Sequence, residues 1–377
     1  MLNHKWAAVT CLLLAIVNKC IIAFFFSSLN GDKGLYLLFA DSLLKTGTLA
    51  EPVSLLENGK TVFVLDPAIH SPLYSLVAVP FLWLTHSFFQ TQAIVSVLGW
   101  ILFYTGLYKL ASLIFREKWV VSLFLLCTAF FLYPHELAST PKDTLAVAFT
   151  FWSIVLMQQF LHQPKFQTTV ALAITLSCLA LVKLLYVPFA AVFLFLLLAF
   201  LLLEKKRYFL HAGLLIASLA LIGLLVYQFV FLPSYELGAK NYVGLPDDGT
   251  FVRSGLFLSN LWYTFPFISS SLIDTHLWAV QVEKLSGFSF SQVMRFFLLA
   301  DAVLFVFLFV TSLFFSRQII ANRVMFILLV ASVTMVGAVV MLSLTSQTDS
   351  NRSIYGVWTF VMDARSFLVP MITLQLA

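Results

Sequence analysis

Long, nearly uninterrupted apolar runs cover most of this chain, and they restrict it to folds whose solvent is lipid. Runs at about 6 to 27, 92 to 115, 119 to 134, 144 to 161, 208 to 232, 293 to 315 and 324 to 345 approach the roughly 20 residues a helix needs to cross a bilayer. One more, 166 to 203, is long enough for two. With 61% hydrophobic and 10% charged residues in 377, there is too little polar surface to cover a soluble globule. The expectation is an all-α, polytopic membrane protein. It is a single transmembrane domain over 1–377 with about 9–10 membrane-crossing helices and juxtamembrane helices on the outer face.

The first run follows a basic stub, His4 and Lys5, but is too long for a signal peptide and lacks a small-residue cleavage site, so it reads as a retained anchor. Cys11, Cys20, Cys127 and Cys178 lie in apolar segments without CxxC pairing, which indicates packing rather than disulfides or thiolate metal sites. The net charge of +5 is scattered in short clusters, as topology signals are, which argues against nucleic acid as a partner.

Those clusters orient the chain. Arg116 with Lys118, Lys165, the Glu204-Lys205-Lys206-Arg207 group, and Arg317 with Arg323 occupy short connections, which the positive-inside rule places in the cytoplasm. Parity then makes 166 to 203 a helical hairpin turning near Lys183 to Pro188 on the outer side. Residues 72 to 89 are apolar enough to cross, yet with the N-terminus inside, crossing would put every downstream basic cluster outside, so they read as a helix along the outer interface. The competing solution is an N-terminus outside with this segment crossing, which would put Asp32 and Asp143 on opposite faces. The outer side then carries a first loop at 28–91, with two juxtamembrane helices, and a large loop at 233–292. Of 17 acidic residues only Glu117 and Glu204 fall in the inner connections, an asymmetry that points to an outer face with a function.

Polar groups gather in four outer segments: Asp32, Lys33, Asp41, Asp66 and His70; His135, Glu136, Lys142 and Asp143; Lys183 and Tyr186; and Asp363 with Arg365. Asp32 stands in GDKGLYLLFADSLLKTG, followed at helical spacing by Tyr36 and Ala40, with Gly47 as a helix stop. In order along the chain, this segment, HSPLYSLVAVPFLWL, STPKDTLAVAFTFW, LALVKLLYVPFAAVFLF and DARSFLVPMITL resemble the GT-C glycosyltransferases that use polyprenyl-phosphate sugars. That group includes protein O-mannosyltransferases, lipid A aminoarabinose transferases and galacturonosyltransferase-like enzymes. The resemblance covers nearly the whole chain and is best in residues 1 to 203.

The resemblance implies an inverting transfer of a sugar from the carrier to a lipid, glycan or protein acceptor, at the outer face of the cytoplasmic (inner) membrane. It implies Asp32 and Asp143 as catalytic acids, Lys183 and Arg365 as phosphate-binding cations, and Tyr36 as support. Where such families often carry a second acid after the first, this chain has Lys33, and their PPL element is reduced to Ser71-Pro72-Leu73.

Chemistry alone asks for little more. The sugar phosphate is already a good leaving group, so a nearby cation helps more than a general acid, and Arg and Lys both suit phosphate. The acceptor hydroxyl needs a base, and a carboxylate at a dry interface is a strengthened one, which makes Asp32 the first candidate.

Plainer readings stand beside each assignment. Asp143 can be a solvated first-turn residue complementing a helix dipole. Lys183 can snorkel, and Lys19, inside the first span, can snorkel or pair. Asp66 and His70 have the i, i+4 spacing of a metal pair, so a divalent metal is possible, but Pro67 and Pro72 oppose a regular helix there. Aromatics in 233–292 suit an interfacial belt, or a groove for an acceptor or lipid tail. The Asn351-Arg352-Ser353 sequon reads as a chance match, and no nucleotide-binding loop is present. After Arg365 only twelve residues remain, about 18 Å of helix, too short to cross, which implies a partial last helix or a continuation. The rival functions are a lipid-linked glycan polymerase or ligase, and a transporter or flippase with mid-membrane ionisable groups.

Overall fold

In the computed structural model the apolar runs are helices wherever the described residues cover them. The structure describes residues 4–25, 32–47, 50–57, 60–67, 72–131, 141–182, 186–203, 209–226 and 322–345, together with isolated positions between 284 and 314 and at 353–354 and 357–358. The helices are α1 (His4–Phe25), α2 (Asp32–Thr46), α3 (Leu73–Thr85), α4 (Phe88–Ile114), α5 (Lys118–Phe131), α6 (Pro141–His162), α7 (Phe166–Val182), α8 (Val187–Leu203), α9 (Phe209–Val226) and α10 (Arg323–Thr345). Two short antiparallel ladders join them: β1 (Ala50–Glu57) with β2 (Lys60–Pro67), and β3 (Ser353–Ile354) with β4 (Val357–Trp358). Both ladders depart from the all-α expectation. Among the described residues three helical segments, Trp6–Phe25, Phe88–Ile114 and Lys142–His162, are long and apolar enough to cross a membrane.

The burial pattern of α1 is inside out for a protein in water. Lys19 is 0% exposed and Ala15 and Ala23 are buried with it, while Leu13, Leu14, Val17, Ile21, Phe24 and Phe25 face outward, Phe25 at 77%. A helix that hides its lysine and alanines and displays its leucines and phenylalanines is matched to an apolar solvent, since in water the exposed face would be an aggregation surface. Of the two readings of Lys19, snorkelling or pairing, snorkelling is not what the structure has. The side chain turns inward, its amine 5.5 Å from the centre of the Trp100 ring.

The chain divides into two compact units, one of Leu12–Leu110 with His135–Ala239, the other of Met1–Cys11, Ala111–Pro134 and Lys240–Ala377. In the first unit α7 packs between α6 and α9, α8 touches all three, and α3 reaches α7 while also lying on α2. The run 166 to 203 is two 17-residue helices, α7 and α8, each about 26 Å long, with Tyr186 as a 3₁₀ residue opening the second. Helices α4 and α6 meet at glycines. A Cβ at Gly106 would stand 3.1 Å from Trp152 Nε1 and 3.3 Å from Phe151 Cβ, an approach only glycine allows without movement. Trp152 Nε1 donates to the Leu102 carbonyl at 3.0 Å across the same contact. Around it Trp100, Phe103, Tyr104 and Phe151 pack with ring centres 5.1 to 5.8 Å apart.

Residues 72 to 89 do not form one helix. Helix α3 has 13 residues, about 20 Å, short of a roughly 30 Å hydrocarbon core. It stops at His86, whose left-handed backbone (φ 50°) lets its N–H close on the Leu82 carbonyl, and α4 starts two residues later. Thr85 Oγ1 lies 2.9 Å from Thr91 Oγ1 and ties the two helices across that corner. In the second unit the Phe115 and Phe124 rings meet at 6.0 Å, and Asn322 Oδ1 caps α10 by accepting from the Val324 N–H at 3.0 Å. The expected span 293 to 315 and the loop 233–292 lie, isolated positions apart, outside the described residues.

Candidate functional site

Asp32 opens α2, and Tyr36 follows one turn later, about 6 Å along the axis. An Asp41–Lys45 pair at 2.6 Å bridges one turn near the end of the helix, and Gly47 (φ 73°) ends it by closing on the Leu43 carbonyl. Tyr36 is the residue by which α2 is held. Its carbonyl accepts the Ser75 hydroxyl at 2.9 Å, and its ring meets Tyr74 edge-on with centres 5.5 Å apart. Such a ring pair contributes about 0.5–1.5 kcal/mol and the hydrogen bond about 1 kcal/mol, so α3 fixes the rotation of α2.

Against the other side of Tyr36 comes the start of α6. Lys142 donates to the Tyr36 hydroxyl and lies over its ring, 4.4 Å from the centre. Thus a segment of the first loop and the opening of a membrane-length helix, 106 residues apart in sequence, share a contact. Asp143, in the first turn of α6, is only 3% exposed. The plain reading of a solvated first-turn acid is not met, because this carboxylate is inside the protein, where a charge persists only with compensating partners.

Tyr186, in the turn before α8, stands close enough to Asp143 to sense its charge. Burial first, and the Asp143 charge second, push the Tyr186 hydroxyl well above the ordinary tyrosine value. Burial does the same to Tyr74. Neither hydroxyl has a hydrogen-bond partner among the described residues, although both side chains are buried. An unsatisfied buried hydroxyl costs about 1–3 kcal/mol, which a fold retains when a ligand or water takes up the bond.

The structure thus brings Tyr36 and Lys142 together, seats Asp143 next in sequence with Tyr186 near it, and places Asp32 one turn before Tyr36. Lys142 and Tyr186 were legible as outer-segment polar groups, but nothing in spacing alone put Lys142 on Tyr36. Lys183, Arg365 and His70 lie outside the described residues. Asp66 is placed in β2, opposite Glu51. Among the described residues no group of three or more metal-ligating side chains gathers.

No protein-family model, curated protein or solved structure matches this chain.

Proposed function

We propose that this chain is a polytopic integral-membrane glycosyltransferase of the GT-C type, moving a sugar from a polyprenyl-phosphate carrier to a lipid, glycan or protein acceptor at the outer face of the inner membrane. The observation that carries the reading is the contact of Tyr36, one turn after Asp32 in α2, with Lys142, which precedes the buried Asp143 in α6. These are two of the segments on which the resemblance rests, and the contact joins them at helix ends, where a lipid headgroup and a polar acceptor can both reach.

In the proposed step Asp32 takes the proton of the acceptor hydroxyl as its oxygen attacks the anomeric carbon. The carbon–oxygen bond to phosphate breaks, the configuration inverts, and polyprenyl phosphate leaves. Lys142 supplies an ammonium on the Tyr36 hydroxyl, and Lys183 and Arg365 are the further cations proposed for the departing phosphate. Asp143 holds a fixed negative charge beside Tyr186, suited to orienting a hydroxyl-rich sugar. A panel of polyprenyl-phosphate sugars offered to the purified chain, with release of lipid phosphate followed, tests the reading. Release that depends on both the sugar-loaded carrier and Asp32 supports it; no release from any donor, by a folded protein given mixed acceptors, counts against it.

A second reading, transport or flipping of a lipid-linked solute, is favoured by one observation: Lys19 is fully buried within a membrane-length helix. Uptake into sealed vesicles containing the chain separates it from transfer.

A further inference from the structure

Four helices start around one group of polar side chains. Tyr36 stands one turn into α2, Tyr74 is the second residue of α3, Lys142 the second of α6, and Tyr186 immediately precedes α8. Tyr36 links the first three: its ring meets Tyr74 edge-on with centres 5.5 Å apart, and its hydroxyl accepts from Lys142. Asp143, next in sequence, is close enough to Tyr186 for its charge to act on that phenol. Helix α3 also reaches α7, whose end leads into Tyr186, and all five residues belong to one compact unit.

Within this group two hydroxyls are left over. The Tyr74 and Tyr186 side chains are 1% and 0% exposed, and neither hydroxyl has a hydrogen-bond partner among the described residues. Both phenols are held in the neutral form, so each can donate as well as accept. Two unmet hydroxyls cost stability that a fold recovers when something bonds them. The route to them is short, because Lys142 is only half-buried and Val187, beside Tyr186, is exposed.

The neighbouring groups narrow what bonds them. An anion at the phenols would face the buried Asp143, a cation cannot accept a phenol proton, and an apolar group leaves both hydroxyls unmet. A neutral ring with several hydroxyls accepts from the phenols and donates to the carboxylate. Water can fill either place, and a sugar hydroxyl displaces such a water by reproducing its bonds.

We propose that Tyr74 and Tyr186 read the hydroxyls of a neutral sugar and so set which loaded carrier the chain accepts. The naming of the ligand rests on the transferase reading; the two unmet phenols do not.

The test measures thermal stabilisation of the full chain in neutral detergent by a polyprenyl phosphate, bare or loaded with a neutral hexose or pentose, and separately the release of lipid phosphate. Wild type should bind the best loaded carrier more tightly than the bare one. Tyr74→Phe and Tyr186→Phe should each weaken binding of the loaded carrier about tenfold and leave the bare carrier unchanged, a split that a merely structural role would not produce. Phenylalanine keeps the ring and removes an unmet hydroxyl, so unliganded midpoints at neutral pH should match or exceed wild type. Trp119→Phe, at an exposed position on α5, should behave as wild type does. Equal affinity of wild type for the bare carrier and every loaded one, unchanged binding in both variants, or equal weakening of bare and loaded carrier would overturn the proposal. So would unliganded midpoints below wild type, which would show the hydroxyls bonded within the protein. Release of lipid phosphate reports on the transferase reading alone. Binding and release at wild-type levels in both variants leave that reading standing and sink this one, whereas hydroxyl-dependent binding without release, given mixed acceptors, does the reverse.

Discussion

Two glycines seven residues apart on α4 should respond in opposite directions to the same substitution. At Gly99 an added Cβ would meet Leu145 and Thr144 side-chain carbons at 3.6 Å, ordinary contact. Alanine there should be neutral or should stabilise by about 0.4–1 kcal/mol through lower entropy of the unfolded chain. At Gly106 the same methyl would stand 3.1 Å from Trp152 Nε1, 3.2 Å from Cδ1 and 3.3 Å from Phe151 Cβ. Trp152 cannot withdraw freely, because its indole N–H is bonded to the Leu102 carbonyl at 3.0 Å. Overpacking costs about 1–3 kcal/mol and the strained hydrogen bond up to about 1.5 kcal/mol, against which the helix propensity of alanine returns about 1 kcal/mol. Gly106→Ala should therefore lose about 1–3 kcal/mol net. Unfolding midpoints of both variants and wild type, in one detergent, read the difference directly. Equal midpoints for the two variants would refute the close approach of α4 and α6, and with it the geometry that positions Asp143.

Three further outcomes follow from the site. Asp32→Asn should remain folded and inserted yet lose about 100- to 10,000-fold in transfer, measured as release of lipid phosphate, because the amide cannot accept a proton. Tyr36→Phe keeps the ring under Lys142 and removes only the hydroxyl, so it should cost about 1 kcal/mol of stability, whereas Lys142→Met should weaken donor binding more than Tyr36→Phe does, as donor titrations would show. Tyr74 and Tyr186 are held protonated in the folded state above the ordinary value of 10.0, so the stability they contribute is complete below that pH and is lost as pH rises beyond it. Unfolding midpoints should fall above about pH 10, and Phe at both positions should flatten that fall.

Much of the helical framework was legible because lipid-facing helices leave long apolar runs, and α4, α6 and α10 follow those runs within a few residues. The hairpin of β1 and β2 was not read, although Asn58-Gly59 between alternating residues is the strongest short signal for one. The 18 residues of the ribbon lie between long apolar runs whose uniform hydrophobicity outweighs its short alternation. Lys19 shows the limit from the other side. A single lysine in an apolar run reads alike whether it snorkels or turns inward, and only the position of Trp100 on a different helix decides between them. The same holds for Lys142. Its contact with Tyr36 depends on how α2 is rotated by α3, which no local spacing encodes.

The hairpin that links α2 to α3 has a consequence for how such a protein can vary. Ala50 pairs with Pro67 at its base, so the two ends lie about 5 Å apart however many residues the ribbon contains. Lengthening, shortening or replacing the ribbon above that base leaves the spacing of α2 and α3, and hence the seating of Tyr36 on Ser75 and Tyr74, unchanged. The segment is thus a place where the chain can change in length and sequence while the contact beneath it keeps its geometry.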